Sequence, residues 1–249
     1  MNMYQRTILL LRIAATLMLM SMGALVMLCV AIVTLFQLRQ IYSERIATPL
    51  GRIALKLWGI RVRVHHLAPF PDRQVVYVSN HTSTIDIFAL IALGLPNTRF
   101  FLSGYLRKLL PLGLIGYLIG IFWTAPQDYP KRRQEIFRRA DAVLRRTNES
   151  VYLSPEGERV TTGEIGHFNK GAFHLATSLQ VPIVPIFIAI PSSIDPGRGL
   201  NASAGVVDVY VHNAISTAEW KIGDVMLHKE VVRQRFVEWN RIYRIGNQA

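Results

Sequence analysis

The stretch VVYVSNHTSTIDIFALIAL, residues 75–93, decides the fold class of this chain. Its first part, Val75–Ser79, is a short run of β-branched and aromatic residues that ends at polar side chains, as buried strands do. The apolar run that begins at Ile85 has the composition of a buried helix. Three hydroxyl residues are available as its N-cap: Thr82, Ser83 and Thr84. His81 is therefore predicted to lie at a strand-to-helix turn.

The same pattern continues along the chain. Strands are predicted at Val151–Ser154 and Val181–Ile190, and a less regular one at Val206–Val211. A helix is predicted over Lys131–Arg146, where apolar residues recur at helical spacing, and an amphipathic closing helix over Glu230–Ile245. Strands that alternate with helices indicate an α/β domain.

The N-terminus predicts contact with a membrane. The chain is 51% hydrophobic and only 18% charged, below the roughly 25% charged residues of an average soluble protein. Residues Ile13–Phe36 carry no charge and, as a helix, exceed the roughly 30 Å hydrocarbon core of a bilayer. This run is too long for a cleaved signal peptide. We expect a membrane anchor at residues 1–38, as one tilted span, with an in-plane helix as the alternative, and a single domain at residues 39–249.

The positive net charge of the chain limits the classes of binding partner but does not identify one. Lys and Arg outnumber Asp and Glu by 28 to 16, which suits an anionic lipid surface, a phosphorylated substrate or a nucleic acid. The basic residues are scattered and form no recognisable nucleic-acid module, so no nucleic-acid partner is expected. The basic residues that follow the apolar run outweigh those before it, which predicts a cytoplasmic domain. These are Arg39, Arg45, Arg52 and Lys56 against Arg6 and Arg12.

His81 and Asp86 have the spacing of a general base and the carboxylate that orients it. A strand-to-helix turn can bring the Asp86 carboxylate to one imidazole nitrogen and leave the other nitrogen free to accept a proton. The pair alone also fits a purely structural turn, in which Asp86 is a first-turn carboxylate at a helix N-terminus. The choice between the two depends on the rest of the chain.

A second polar segment, Ser154–Arg159, follows the second predicted strand. Gly157 allows a tight turn with positive φ, and Arg159 can offer a bidentate guanidinium to a phosphate. An ordinary surface loop remains the alternative for this segment.

Together the two segments resemble the glycerolipid acyltransferase family that includes the bacterial 1-acyl-sn-glycerol-3-phosphate acyltransferases. The family's first block, Asn-His-x-x-x-x-Asp, is matched by Asn80, His81 and Asp86. Its third block, Phe-Pro-Glu-Gly-Thr-Arg, is matched at four positions: Pro155, Glu156, Gly157 and Arg159.

Two further elements extend the resemblance to residue 190. A Phe-Lys-x-Gly element is similar to Phe168–Gly171, with its lysine at Lys170, and the fourth block, Val-Pro-Ile-Val-Pro, is intact at Val181–Pro185. The resemblance implies an acyltransferase domain with a central mixed sheet flanked by helices, behind the N-terminal anchoring helix.

The resemblance also implies an activity. A fatty acyl group would pass from a thioester, on acyl-CoA or acyl carrier protein, to the free hydroxyl of a lysolipid. The first expected acceptor is 1-acyl-glycerol-3-phosphate, which gives phosphatidic acid in phospholipid biosynthesis. His81 would be the general base and Asp86 its orienter. The expected substrate-binding residues are Asn80, Gly120, Pro155, Glu156, Gly157, Arg159 and Lys170.

No cofactor and no metal are expected for such a reaction, because the remaining histidines lack ligand spacing. Membrane lipids are expected partners, at a bacterial-type inner (plasma) membrane with the catalytic domain facing the cytoplasm.

Two departures from the family pattern concern the acceptor. The second block, Gly-x-x-Phe-Ile-x-Arg, aligns only at residues Gly120–Pro126, so Pro126 stands where an arginine is expected to hold the acceptor phosphate. A lysine expected shortly before Pro111 is also absent. Nearby basic residues can replace the two: Arg107, Lys108 and residues 131–133. In addition, Glu158 replaces a threonine beside Arg159.

These departures leave two alternatives open. In the first, the chain is an acyltransferase for another lysolipid, such as a different lysophospholipid or a lyso-aminolipid. In the second, it is a catalytically silent protein of the membrane surface. The apolar, Gly-rich segment Leu109–Trp123 is equally open, since burial in the core and contact with lipid both explain its composition.

Overall fold

The computed structural model describes residues 3–195, 197 and 202–246, and its centre is one mixed β-sheet. In the described residues seven strands join in the order β1-β7-β6-β2-β5-β3-β4. Only β6 and β7 pair antiparallel. The strands are β1 Ile60–His66, β2 Val76–Ser79, β3 Thr98–Ser103, β4 Phe122–Thr124, β5 Ser150–Leu153, β6 Ile183–Ala189 and β7 Gly205–Val211.

Five adjacent strands, β6, β2, β5, β3 and β4, run parallel to one another. Their carboxyl ends therefore meet at one edge of the sheet, which we call the carboxyl edge. In open α/β sheets this edge is where ligands bind.

Helices cover both faces of the sheet. They are α1 Met3–Val33, α2 Arg39–Ile41, α3 Thr48–Leu57, α4 Ile85–Leu93, α5 Leu112–Leu118, α6 Pro130–Thr147, α7 Gly171–Leu179 and α8 Val225–Gly246. A π-helical turn at Tyr42–Ala47 joins α2 to α3, and short 3-10 turns lie at Leu106–Lys108 and Ile222–Asp224.

The two faces have separate cores because side chains alternate along each strand. Val76 and Val78 of β2 pack with α6, α7 and α8, through residues such as Leu144, Phe173 and Phe236. Tyr77 packs on the other face with α3 and α4, through residues such as Leu55 and Leu90. A third apolar cluster joins α1 to α5 and to the π-helical turn.

The predicted fold class, an α/β domain with a central mixed sheet and flanking helices behind a long apolar helix, is confirmed. The four predicted strands correspond to β2, β5, β6 and β7, and the predicted helix at 131–146 to α6. The closing helix begins earlier than expected, at Val225 instead of Glu230. Strands β1, β3 and β4 were not predicted.

The segment Leu109–Trp123 is partly buried and partly exposed. Ile115, Leu118 and Ile119 of the α5 region are buried against α1, whereas Leu110 and Tyr117 are exposed. Its last residues, Phe122 and Trp123, enter strand β4.

Candidate active site

The turn between β2 and α4 presents His81 at the carboxyl edge. Ser83 stabilises the start of the helix, since its Oγ accepts the Ile85 N–H at 2.9 Å. Thr84, the residue immediately before the helix, makes no side-chain capping bond. The N-cap function expected of one of three hydroxyl residues thus falls to Ser83.

His81 and Asp86 are in direct contact. The distance between His81 Nδ1 and Asp86 Oδ2 is 2.8 Å. The same oxygen accepts the backbone N–H groups of Thr82 at 2.7 Å and Ser83 at 2.9 Å. Because Oδ2 is the acceptor in these bonds, Nδ1 is the donor, and Nε2 is left to accept a proton.

Burial differs sharply within this pair. The Asp86 side chain is 2% exposed and the His81 side chain 31% exposed. The carboxylate is therefore fixed and shielded from water, while the imidazole is in contact with solvent and accessible to a substrate.

Glu156 joins the His81 turn to the loop after β5. One of its carboxylate oxygens accepts the His81 backbone N–H at 2.5 Å, and the other accepts the Gly166 N–H at 2.8 Å. Burial raises the pKa of the Glu156 carboxyl to about 7, and the two N–H donors oppose this rise only in part. Glu156 was expected to bind substrate, but it is 3% exposed with both oxygens engaged in backbone contacts.

Asn80 and Pro155 are also parts of the scaffold. The Asn80 amide donates to the Ile188 carbonyl at 2.9 Å and accepts the Ile188 N–H at 2.8 Å, which ties the end of β2 to β6. Pro155 is buried, and its carbonyl accepts the Asn169 N–H at 2.6 Å. Their contacts fix the backbone on both sides of the His81 turn.

Three predicted binding residues are exposed, and two of them, Gly157 and Arg159, lie beside the His81 turn. Gly157 has φ of +75°, and a Cβ there would lie 2.8 Å from Asn169 Nδ2. The backbone conformation and the close contact therefore both disfavour a side chain at this position. Arg159 Nη1 donates to Thr84 Oγ1 at 2.8 Å, next to the Asp86 turn. Lys170 is exposed at the start of α7.

Gly120 does not join this group. It precedes β4 and therefore lies at the opposite end of the strand from the carboxyl edge. A Cβ on Gly120 would lie 2.6 Å from Arg39 Nε, so the glycine accommodates a buried arginine side chain. The expected substrate contact at Gly120 stays a prediction, although the matching block reaches the carboxyl edge only at its last residues.

Sequence reasoning missed two polar residues of the site. Asp195 is buried and accepts a hydrogen bond from the Ser83 hydroxyl, beside the Asp86 turn. Gln127 Nε2 lies 3.7 Å from the position of a Cβ on Gly157. Asp195 follows β6 and Gln127 follows β4. Asp195 follows a predicted strand, which was the one signal that the sequence offered for it. Strand β4 was not predicted, so no such signal pointed to Gln127.

Helix α8 contacts the loop that joins β5 to α7. Arg233 Nε donates to the Gly166 carbonyl at 2.7 Å, and its Nη2 donates to the Ile165 carbonyl at 3.1 Å. Asn240 Nδ2 donates to the Gly163 carbonyl at 3.1 Å. Arg233 is thus connected to His81 through Gly166 and Glu156.

A second His–Asp contact lies elsewhere in the sheet. His65 Nε2 is 2.8 Å from Asp208 Oδ1, between edge strand β1 and its neighbour β7. Strand β1 is three positions from β2 in the sheet. Among the described residues, no three His, Cys, Asp or Glu side chains are grouped closely enough to hold a metal ion.

A sequence model of the family described as "Acyltransferase" matches residues 61–189. The chain belongs to this acyltransferase family. The match includes both polar segments of the site, and it confirms the resemblance that these segments indicated.

Named relatives of this acyltransferase-family chain include "1-acyl-sn-glycerol-3-phosphate acyltransferase beta" of Homo sapiens. That protein is 35% identical over 172 residues, which are 68% of this chain and 60% of the human protein. The chloroplastic "1-acyl-sn-glycerol-3-phosphate acyltransferase BAT2" of Brassica napus is 33% identical over 150 residues, 59% of this chain and 42% of the plant protein. The chain thus spans less than two thirds of either relative.

The fold is shared with a solved structure. The crystal structure of the "1-acyl-sn-glycerophosphate (LPA) acyltransferase, PlsC" from Thermotoga maritima superposes with a TM-score of 0.68 at 20% sequence identity. The superposition covers 92% of this chain and 98% of that protein.

Proposed function

We propose that this chain transfers a fatty acyl group from a thioester to the free hydroxyl of a lysolipid. The observation that supports this most is the contact between exposed His81 and buried Asp86 at 2.8 Å. A partly exposed imidazole with one nitrogen fixed by a carboxylate is the arrangement of a general base. The relatives named as acyltransferases supply the reaction type.

The reaction follows from this geometry. His81 Nε2 removes the proton of the lysolipid hydroxyl while the hydroxyl oxygen attacks the thioester carbonyl. The buried Asp86 carboxylate stabilises the imidazolium that forms. The tetrahedral intermediate then expels the thiolate, which receives the proton from the imidazolium and leaves as a thiol. The products are the ester and the free thiol of coenzyme A or the carrier protein, and no acyl-enzyme is needed.

The acceptor we propose is 1-acyl-sn-glycerol-3-phosphate, which gives phosphatidic acid for phospholipid biosynthesis. The relatives' names support it, and two exposed cations of the matched blocks, Arg159 beside the Asp86 turn and Lys170 at the start of α7, suit a phosphate. The alternative acceptor is a lysolipid without a terminal phosphate. It is favoured by Pro126 and by the neutral Gln127, which lies next to Gly157.

An acceptor panel tests this proposal. Purified protein in mixed micelles is given a labelled acyl thioester, on coenzyme A or carrier protein, and lysolipids with different headgroups. We expect turnover with lysophosphatidate to exceed turnover with lysophosphatidylcholine or a lyso-aminolipid by at least roughly tenfold, since a phosphate monoester offers more negative charge and more free oxygens for charge-assisted hydrogen bonds with Arg159 and Lys170. Preference for another lysolipid would establish the alternative acceptor. Lack of turnover with every thioester and acceptor would contradict acyl transfer itself.

We further propose that α1 anchors the chain by lying in one leaflet on the cytoplasmic side of a bacterial-type inner membrane. It is the described helix that is long and apolar enough to cross a bilayer. However, Trp58 Nε1 donates to Thr16 Oγ1 at 2.9 Å, and a Cβ on Gly23 would meet Leu50 at 2.2 Å. Helix α1 therefore runs antiparallel to residues 42–58 and lies along the domain.

The outer side of α1 is mostly apolar from Leu10 to Val33, whereas Gln5, Arg6 and Thr7 are exposed in its first turns. Its exposed residues include Leu10, Leu11, Leu17, Met18, Met22, Leu25, Val26, Ile32 and Val33. Such a continuous apolar surface is unstable in water and suits the acyl region of a leaflet. An in-plane anchor would hold the carboxyl edge at the membrane surface, where lysolipids reside.

A further inference from the structure

The loop at Gly104–Pro111, which we call the 104–111 loop, presents an apolar tip. Leu110 is 81% exposed and Tyr105 is 66% exposed, and Leu109 is exposed next to them. Arg107 and Lys108 are exposed on the same loop. Two leucines and a tyrosine flanked by two cations are the side chains that favour a membrane interface, because apolar groups enter the acyl region while cations meet headgroup phosphates.

The loop is a fixed structure. The N–H groups of Lys108, Leu109 and Gly113 donate to the carbonyls of Tyr105, Leu106 and Leu109 at 3.0, 3.1 and 2.8 Å. Backbone groups that are paired within the loop can enter a medium without water at little cost. A Cβ on Gly113 would lie 2.2 Å from the Arg107 carbonyl oxygen, so the loop packs tightly against the start of α5.

Its position joins the candidate active site to the apolar helix. The loop follows β3 and leaves the sheet at the carboxyl edge, the edge that bears His81. It leads into α5, whose buried residues Ile115 and Leu118 pack against Met20 and Met27 of α1. The loop is therefore connected through α5 to α1, the helix that we assign to the membrane.

We propose that the 104–111 loop is a second membrane contact, which inserts Leu109 and Leu110 into a bilayer that contains anionic phospholipid. Arg107 and Lys108 bind headgroup phosphates at the same depth. With α1 on one side and this loop at the carboxyl edge, the edge of the sheet that bears His81 faces the lipid surface. A lysolipid then reaches His81 without leaving the membrane. This contact goes beyond the acyl-transfer proposal and does not depend on it.

Fluorescence tests insertion directly. In a Cys29→Ser background, Leu110→Cys is labelled with an environment-sensitive dye, and Leu227→Cys is the matched control. Leu227 is equally an exposed leucine, 64% exposed, but lies on α8 at the other face of the sheet. In vesicles of phosphatidylcholine and phosphatidylglycerol, we expect the dye at position 110 to shift to the blue and to be quenched by lipids brominated on the acyl chain. The dye at position 227 should stay water-exposed. Equal, water-like spectra at both positions would overturn the proposal.

Kinetics separate this proposal from the proposed function. Leu110→Asp should lower turnover of a long-chain lysolipid in vesicles by roughly tenfold, because a carboxylate is costly to place in the acyl region. Turnover of a short-chain, water-soluble lysolipid should not change, and Leu227→Asp should affect neither. Unchanged vesicle activity of Leu110→Asp would contradict insertion. If wild-type protein turns over neither substrate, the acyl-transfer proposal fails, and the fluorescence result still decides the membrane contact.

Discussion

At the scale of single residues, Asp86 combines a structural and an electrostatic role. Its Oδ2 accepts three N–H groups, while Oδ1 is buried without a hydrogen-bond partner among the described residues. An asparagine can place its oxygen at the Oδ2 position and its amide at the Oδ1 position, so Asp86→Asn should fold. The negative charge that stabilises the imidazolium is lost. We expect kcat to fall by roughly 100-fold or more with little change in KM.

The second His–Asp pair provides the control for that measurement. Asp208 is 7% exposed and contacts His65 at the same 2.8 Å, but lies in β7, away from the turn that bears His81. Asp208→Asn should therefore keep the wild-type kcat. A kcat for Asp86→Asn within about threefold of wild type would show that Asp86 only shapes the turn.

Glu156 should give the protein a pH-dependent stability. Its pKa is raised by burial from the usual 4.5 to about 7, so the folded state binds this proton more tightly than the unfolded state. The free energy of unfolding should then decrease as pH rises from about 4.5 to about 7, by up to about 3 kcal/mol from this carboxyl. Denaturant unfolding in detergent across this range, for wild type and Glu156→Gln, measures the effect. An equal pH slope in both proteins would contradict it.

Some contacts of the site join residues that are close in the sequence, and others join residues that are far apart. His81 and Asp86 were predictable because a five-residue separation at a strand-to-helix turn fixes their distance. The contacts of Glu156 with His81 and of Asp195 with Ser83 join residues far apart in the chain. They depend on which strands are neighbours, and the order of strands is not encoded in any local pattern.

At the scale of elements, α8 contacts the loop between β5 and α7. This loop contains Glu156 and Gly166, which connect α8 to the His81 backbone. Arg233 is the described residue of α8 that donates to two carbonyls of this loop. Arg233→Ala should leave the loop loosely held and lower kcat by roughly tenfold, and Arg233→Lys, with a single donor group, should recover part of the loss. KM should change less than kcat, because the lipid-facing surface stays intact.

Arg235, an exposed arginine on the same helix, is the matched control for charge. Arg235→Ala should retain wild-type kcat. If Arg233→Ala also retained it while the protein stayed folded, α8 would have no part in positioning the base.

Two of the three strands that sequence analysis missed, β1 and β4, share a physical reason. β1 alternates Val62 and Val64 with arginines and lies at the edge of the sheet, so one side is polar and its apolar run is broken. β4 has three residues and continues an apolar segment without a boundary. Short and edge strands derive their stability from pairing rather than from their own composition, and pairing is a tertiary property.

At the scale of the whole molecule, α1 and residues 42–58 form an antiparallel pair of helical segments on the domain. The sequence predicted an apolar anchor from length and hydropathy, with one tilted span as the first expectation. Its packing depends on residues 42–58, whose contacts with α1 no periodicity reveals. These contacts favour the in-plane alternative, because α1 cannot cross a bilayer while it lies along a domain outside it.

Protease protection distinguishes the two arrangements. With an N-terminal epitope on the full chain in sealed vesicles, an in-plane α1 leaves the epitope and the domain on the same side. We expect both to be digested together from outside in molecules that face outward. An epitope that survives while its own domain is digested would show that α1 spans the bilayer.

The central claim is that His81 is the base for acyl transfer to a lysolipid at the membrane surface. The most direct test is kcat/KM for acyl transfer from a labelled thioester to lysophosphatidate by wild type, His81→Ala and His65→Ala in the same micelles, with folding checked by circular dichroism. We predict that His65→Ala matches wild type and that His81→Ala loses at least roughly 1000-fold in kcat/KM while remaining folded. A folded His81→Ala protein with near-wild-type kcat/KM would contradict the account.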